Sequence, residues 1–168
     1  MKFTCATCHG EHDIDDISFG SDAPVQWDLL EEGDRKRSEL GSDQCIIQSH
    51  EGPHFFVRAC LEIPITGTKR SFTWGVWVSL SERSFAEMCD HWTDPARTET
   101  GPYFGWLCTR IPDYPDSVFL KAVVHQRTVG LRPSVELEPT EHPLSRDQQF
   151  GITQTRVQQI VSSLLHAT

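Results

Sequence analysis

Residues 54–65 read His54-Phe55-Phe56-Val57-Arg58-Ala59-Cys60-Leu61-Glu62-Ile63-Pro64-Ile65, and residues 71–80 read Ser71-Phe72-Thr73-Trp74-Gly75-Val76-Trp77-Val78-Ser79-Leu80. In the first stretch Phe55, Val57, Ala59, Leu61 and Ile63 alternate with Phe56, Arg58, Cys60 and Glu62. In the second, Phe72, Trp74, Val76, Val78 and Leu80 share one parity and Thr73, Gly75, Trp77 and Ser79 the other. A period of two puts each set on its own face of a strand. Both stretches are rich in the β-branched and aromatic residues that fit a pleated, half-buried surface. With Thr66-Gly67-Thr68 between them, they predict a β-hairpin.

Working outward, residues 103–111, 118–128 and 132–137 read as three further strands, with Pro112-Asp113-Tyr114-Pro115 and Val129-Gly130 as turns. Helices are expected over 28–40, ending at Gly41, over 81–92 with Ser81 as the N-cap, and over 153–166 with Thr153 as the cap. The last carries Val157, Ile160, Val161, Leu164 and Leu165 at helical spacing, which makes it an amphipathic closing helix. The fold class expected is α+β: an antiparallel sheet of about five strands with helices packed on it.

At 168 residues the chain suits a single domain. Residues 1–24 read as a small cysteine-containing, zinc-knuckle-like N-terminal module and 25–168 as the α+β core. Five Trp and nine Phe exclude a disordered chain. The net charge of −9 argues against binding nucleic acid by phosphate neutralisation. That excess is concentrated, since residues 1–43 carry eleven acidic and four basic side chains. No apolar run approaches the roughly 20 residues of a membrane helix. The N-terminus shows no apolar leader, so a cytoplasmic protein is the expectation.

The six cysteines divide by context. Cys60, Cys89 and Cys108 lie in apolar surroundings and are expected to be small core residues. Cys5 and Cys8, two residues apart in the polar run Cys5-Ala6-Thr7-Cys8-His9-Gly10-Glu11-His12, can aim two thiolates at one ion. Cys45, in Ser42-Asp43-Gln44-Cys45, is the remaining thiol outside an evident core strand. With His12 these predict a Cys₃His structural zinc site, with His9, Asp43 and His54 competing for the fourth place. Cys5 to His9 also matches the C-x-x-C-H haem-attachment pattern. That chemistry needs export, and no Met suits as a distal ligand. A thioredoxin-like redox pair would sit between a strand and a helix, whereas this pair precedes every regular element.

The second face of the predicted strands carries Arg58, Trp77, Trp106 and His125. If the strands are neighbours, these residues converge on a surface able to take an anionic or planar ligand. A solvated sheet face gives the same pattern. His125 is the best candidate for a general base, and Glu141-His142-Pro143, read as a turn, is the second. Neither has a nucleophile beside it.

Taken together, these segments resemble the bacterial family called domain of unknown function 2199. The resemblance runs through Cys5-Ala6-Thr7-Cys8 with His12, Ser42-Asp43-Gln44-Cys45, Phe55-Phe56-Val57-Arg58, Trp74-Gly75-Val76-Trp77-Val78, Phe104-Gly105-Trp106-Leu107, Arg132-Pro133 and His142-Pro143-Leu144. It implies a small cytoplasmic protein with a cysteine-bearing N-terminus and supports zinc at Cys5, Cys8, His12 and Cys45, but it carries no activity. In the family Gly usually follows the second Cys, where this chain has His9. The resulting expectation is a non-enzymatic zinc protein that binds a protein partner. The alternative is an enzyme acting on a small anionic substrate around Arg58, Trp106 and His125.

Overall fold

The computed structural model describes residues 1–5, 7–14 and 19–166. In chain order the strands are β1 (Lys2–Thr4), β2 (Glu11–Asp13), β3 (Phe19–Gly20), β4 (Glu39–Leu40), β5 (Gln44–Ser49), β6 (Gly52–Pro64), β7 (Ser71–Leu80), β8 (Tyr103–Leu107), β9 (Lys121–His125) and β10 (Ser134–Leu137). The helices are α1 (Val25–Asp28), α2 (Glu32–Arg37), α3 (Glu82–Asp90), α4 (Pro143–Phe150) and α5 (Gln154–Leu165), with a 3₁₀ turn at Pro95–Glu99. None of the described helices is long and apolar enough to cross a membrane.

The hairpin read from residues 54–80 is the centre of the fold, with β6 and β7 paired from Phe55↔Leu80 to Pro64↔Ser71. On its other edge β6 changes partner. Its first half pairs with β5, from Ser49↔Gly52 to Gln44↔Val57, and its second half with β10 at Ser134↔Cys60 and Val135↔Leu61. The order β6-β7-β8-β9-β10 therefore returns to β6 as a closed five-stranded barrel. This corrects the expected antiparallel sheet. The five predicted strands all exist, but they close on themselves. Successive strands alternate in direction, so an odd number of them must meet with one parallel seam. That seam is β10 against β6.

Closure decides where the alternating residues go. Val57, Ala59, Leu61 and Ile63 of β6 meet Phe72, Trp74, Val76, Val78 and Leu80 of β7 in one buried core, with Leu107, Val124 and Val135 from the remaining strands. Phe85 and Met88 of α3, Leu144 of α4 and Val157, Ile160 and Val161 of α5 join the same core, as do Phe3 and Cys5. The expected caps form: the Ser81 side chain accepts from the Ser84 N–H, and Thr153 accepts from the Arg156 N–H.

The helix expected over 28–40 is corrected to two short ones, because Glu31 is extended and neither α1 nor α2 buries a residue that would tie them together. The turn expected at Glu141-His142-Pro143 is a bend at residues 141 and 142 that opens α4, a helix not expected above. His142 caps α4, accepting from the Leu144 N–H at Nδ1 (3.1 Å), while its Nε2 lies 3.2 Å from the Asp116 carbonyl.

A second, smaller core lies outside the barrel, where Cys45, Ile47, Phe56, Trp77 and Cys108 pack with Trp27 and Leu30. Its polar groups are matched. The Trp77 indole donates to the Ser21 carbonyl (3.0 Å) and the Trp77 backbone N–H to Thr109 Oγ1 (2.8 Å). Thr109→Val should therefore leave a buried N–H without an acceptor and cost about 1–3 kcal/mol in urea unfolding, while Thr109→Ser, which keeps the oxygen, should cost less. A loss in Thr109→Ser as large as in Thr109→Val would show that the methyl group matters to the fold as much as the hydrogen bond.

Candidate metal centre

β1 and β2 form a hairpin with register Lys2↔Asp13, Phe3↔His12 and Thr4↔Glu11. The cysteine pair occupies its loop. The Cys5 N–H donates to the Gly10 carbonyl (2.9 Å), and the His9 N–H donates back to the Cys5 carbonyl (3.0 Å). The turn needs His9 in the left-handed region, at φ 57. Only glycine enters that region freely, and this chain has His9 there. The Thr7 N–H points at Cys5 Sγ (3.4 Å).

The loop faces the far end of the chain. His166 ends α5 and brings its Nε2 to 3.2 Å from Cys5 Sγ, while His12 Nε2 lies 3.2 Å from Cys8 Sγ. The rings of His12 and His166 are 6.5 Å apart, edge to face. One donor atom from each of Cys5, Cys8, His12 and His166 falls within 4.8 Å of every other, a group that could hold a metal ion. Cys5 is buried, Cys8 exposed and both imidazoles half-buried. The Cys5 thiol is held down to about 5, chiefly by the Ser162 hydroxyl and the Cys8 backbone N–H, with burial opposing and Thr7 and His166 adding to the effect. A thiolate is the form a metal needs.

Cys5, Cys8 and His12 thus come together as the spacing predicted, but the fourth member is His166. Cys45 stands instead in β5, paired with Phe56 and Leu40. It is 1% exposed, and burial pushes its thiol up to about 12. The competitors also stand outside that group. His54 Nε2 is 3.1 Å from Ser49 Oγ, His9 is exposed, and Asp43 accepts from Arg132 Nε (2.7 Å) and Ser42 Oγ (2.8 Å). His166 gave no signal beyond ending an amphipathic helix, since 153 intervening residues hide its proximity to His12.

Burial would raise the Asp43 carboxyl, but hydrogen bonds from Arg132 and Ser42 and the charges of Arg132 and Arg58 together hold it below its usual range. A depressed carboxylate stabilises the fold above its unfolded range, and that contribution is lost as pH falls through the lowered value. Asp43→Asn should therefore be less stable than the wild type at pH 7 by about 1 kcal/mol or less, given the partly exposed pair. The gap in melting temperature should close in acid; a pH-independent gap would point to altered packing.

The residues expected to share a sheet face do not share a cavity, because a closed barrel splays its outward side chains around its circumference. Trp77 is 0% exposed in the smaller core. Arg58 is half-buried with Nη2 3.9 Å from Asp22. His125 lines a cavity of about 270 Å³ with Lys121, and its Nε2 is 3.3 Å from Glu136. Trp106 lines a different cavity of about 780 Å³. Among the other thiols Cys108 is fully buried, whereas Cys60 and Cys89 are half-buried.

No curated protein and no solved structure matches the chain. A family's sequence model does, over residues 4–152, a span that holds Cys5, Cys8 and His12 and stops short of His166. The chain belongs to that family, described as an uncharacterised protein conserved in bacteria (domain of unknown function 2199).

Proposed function

We propose that this is a non-enzymatic zinc protein with a protein-binding role, in which Cys5, Cys8, His12 and His166 hold one Zn²⁺ as a clasp between the N-terminal hairpin and α5. The observation that carries the reading is the gathering of four donor atoms within 4.8 Å from opposite ends of the chain. Zinc suits two thiolates and two imidazoles, with bonds of about 2.3 Å to sulfur and about 2.0–2.1 Å to nitrogen. Tetrahedral placement at those lengths sets donors about 3.3–3.8 Å apart. The pairs at 3.2 Å stand within about 0.4 Å of that spacing, and the widest pair, within 4.8 Å, has to close by about 1 Å at most. Four protein donors fill a tetrahedral ion and leave no position for water or substrate, which favours structure over catalysis.

The acidic excess of the first 43 residues favours a basic partner. Elemental analysis of reduced, untagged protein tests the metal half. About one zinc per chain is expected in the wild type and none in Cys8→Ser, whose exposed sulfur carries no packing role. Absence of zinc in the wild type would overturn the reading.

A further inference from the structure

A cavity of about 780 Å³ forms a groove between the outer face of β8, the start of β6 and the first turn of α3. It shares no residue with the Cys5–His166 cluster. Its volume falls in the range of about 300–1,000 Å³ typical of binding sites. Phe104 and Trp106, on the outward parity of β8, meet edge to face at 5.3 Å and are 53% and 39% exposed. Phe119 completes the wall at 62% exposure. Aromatic rings left in water side by side mark a contact surface rather than scattered apolar residues.

Phe119 is held there against its backbone preference. Its N–H donates to the Leu107 carbonyl (2.7 Å), and the Leu107 N–H donates to the Leu120 carbonyl (2.8 Å), so two residues face one in a bulge. The first position of such a bulge ordinarily carries glycine. Here it carries phenylalanine at φ 66, with its ring exposed. A bulky residue kept in a strained conformation without burial points to a use for the ring outside the isolated chain.

Two further features say what the groove takes. Glu82 is the one carboxylate among its lining residues, and neither Lys nor Arg is among them, in a chain of net charge −9. Gln26 also lines it, and its Oε1, covered from solvent, has no hydrogen-bond partner among the described residues, a buried acceptor left unsatisfied at the groove. We propose that this groove binds a short extended segment of another protein, apolar apart from a Lys or Arg that meets Glu82. The proposal deepens the protein-binding half of the function above and stands independently of zinc.

A phage-displayed random dodecapeptide library, panned on the intact protein, tests it. Recovered peptides should carry Pro, aliphatic or aromatic residues with at least one Lys or Arg. They should bind about tenfold or more weaker to Phe119→Gly and to Trp106→Ala, and Glu82→Lys should remove the basic preference. Phe119→Gly should meanwhile melt about 2–4 °C higher than the wild type, as relief of strain requires. A lower melting temperature in Phe119→Gly would show that the ring serves the fold and overturn the proposal. Peptides that bind Phe119→Gly as well as wild type, or without charge preference, would overturn the groove while leaving a protein-binding role elsewhere. Failure to recover any peptide would overturn both. A wild-type dimer in sedimentation that Phe119→Gly dissociates would give the groove to a second copy of the chain and overturn the peptide.

Discussion

His166→Ala is expected to lose bound zinc, and Cys45→Ser is expected to keep it. The pair separates two sites that share Cys5, Cys8 and His12 and differ only in the fourth donor. Cys45 cannot reach the cluster without leaving β5, whose ladder to β6 runs from Gln44 to Ser49. Losing a ligand should weaken zinc by at least the roughly 10–100-fold that loss of a mere supporting residue costs. A ligand present at about 100 times its dissociation constant adds about 2.7 kcal/mol. For a chain of this size that is a fall of about 5–10 °C in melting temperature on metal loss. Excess chelator should lower the wild type by the same amount and leave His166→Ala unchanged. The barrel should survive, because most of its core comes from β6 to β10 and the N-terminal hairpin adds only Phe3 and Cys5 to it. Hydrogen exchange should therefore speed up in β1, β2 and the last turn of α5, and not in β6 or β7. Zinc retained by His166→Ala and lost by Cys45→Ser would restore the Cys₃His site and contradict the placement of α5.

The contrast between those two residues shows what the sequence made legible. The five barrel strands could be read because burial on one side imposes a period of two, and Val57 to Ile63 and Phe72 to Leu80 keep it without a break. Barrel closure could not be read, because the pairing of Ser134 with Cys60 joins residues 74 apart and leaves no local trace. Residues 44–49, Gln-Cys-Ile-Ile-Gln-Ser, alternate weakly, with Cys45 and Ile47 buried between partly exposed neighbours. No strand was expected there, which left Cys45 looking like a spare thiol, whereas the structure pairs it in β5, outside the group of four donors. The Cys5-x-x-Cys8 spacing was legible for the opposite reason, since a tight turn is a local event. His166 depends on where the packing of Val157, Ile160 and Val161 aims the end of α5, which only the assembled core determines. Trp77 failed as a surface residue for the same reason, because parity says which face it occupies but not that the segment from Ser21 to Leu30 covers that face.

Gly105→Ala is expected to be the most destabilising small substitution in the barrel. Gly105 lies in β8 between Tyr103 and Leu107, opposite Leu80 of β7. A Cβ there would stand 2.2 Å from the Ser79 carbonyl oxygen, 2.6 Å from Val78 Cγ1 and 3.2 Å from Leu80 Cδ2. The first of these is backbone and cannot rotate away. Relief requires β8 to retreat from β7, which breaks the short ladder Val78↔Leu107, Ser79↔Trp106 and Leu80↔Gly105 on which closure depends. Overpacking a tight core costs about 1–3 kcal/mol, and a clash with fixed backbone belongs at or above the top of that range. About 3 kcal/mol is a large share of a typical domain's 5–15 kcal/mol and corresponds to a fall of about 6–12 °C in melting temperature. Gly33→Ala is the matched control. Nothing lies within 4 Å of its added methyl, and it sits inside α2, so the same chemical change there should stabilise by about 0.5–1 kcal/mol. Opposite signs from one substitution would show that the barrel's tolerance is set by the spacing of β7 and β8. If Gly105→Ala melted with the wild type, that spacing would be looser than the structure has it. Phe104 and Trp106, which flank Gly105 on the outward parity, would then lack the rigid strand that the proposed peptide groove requires.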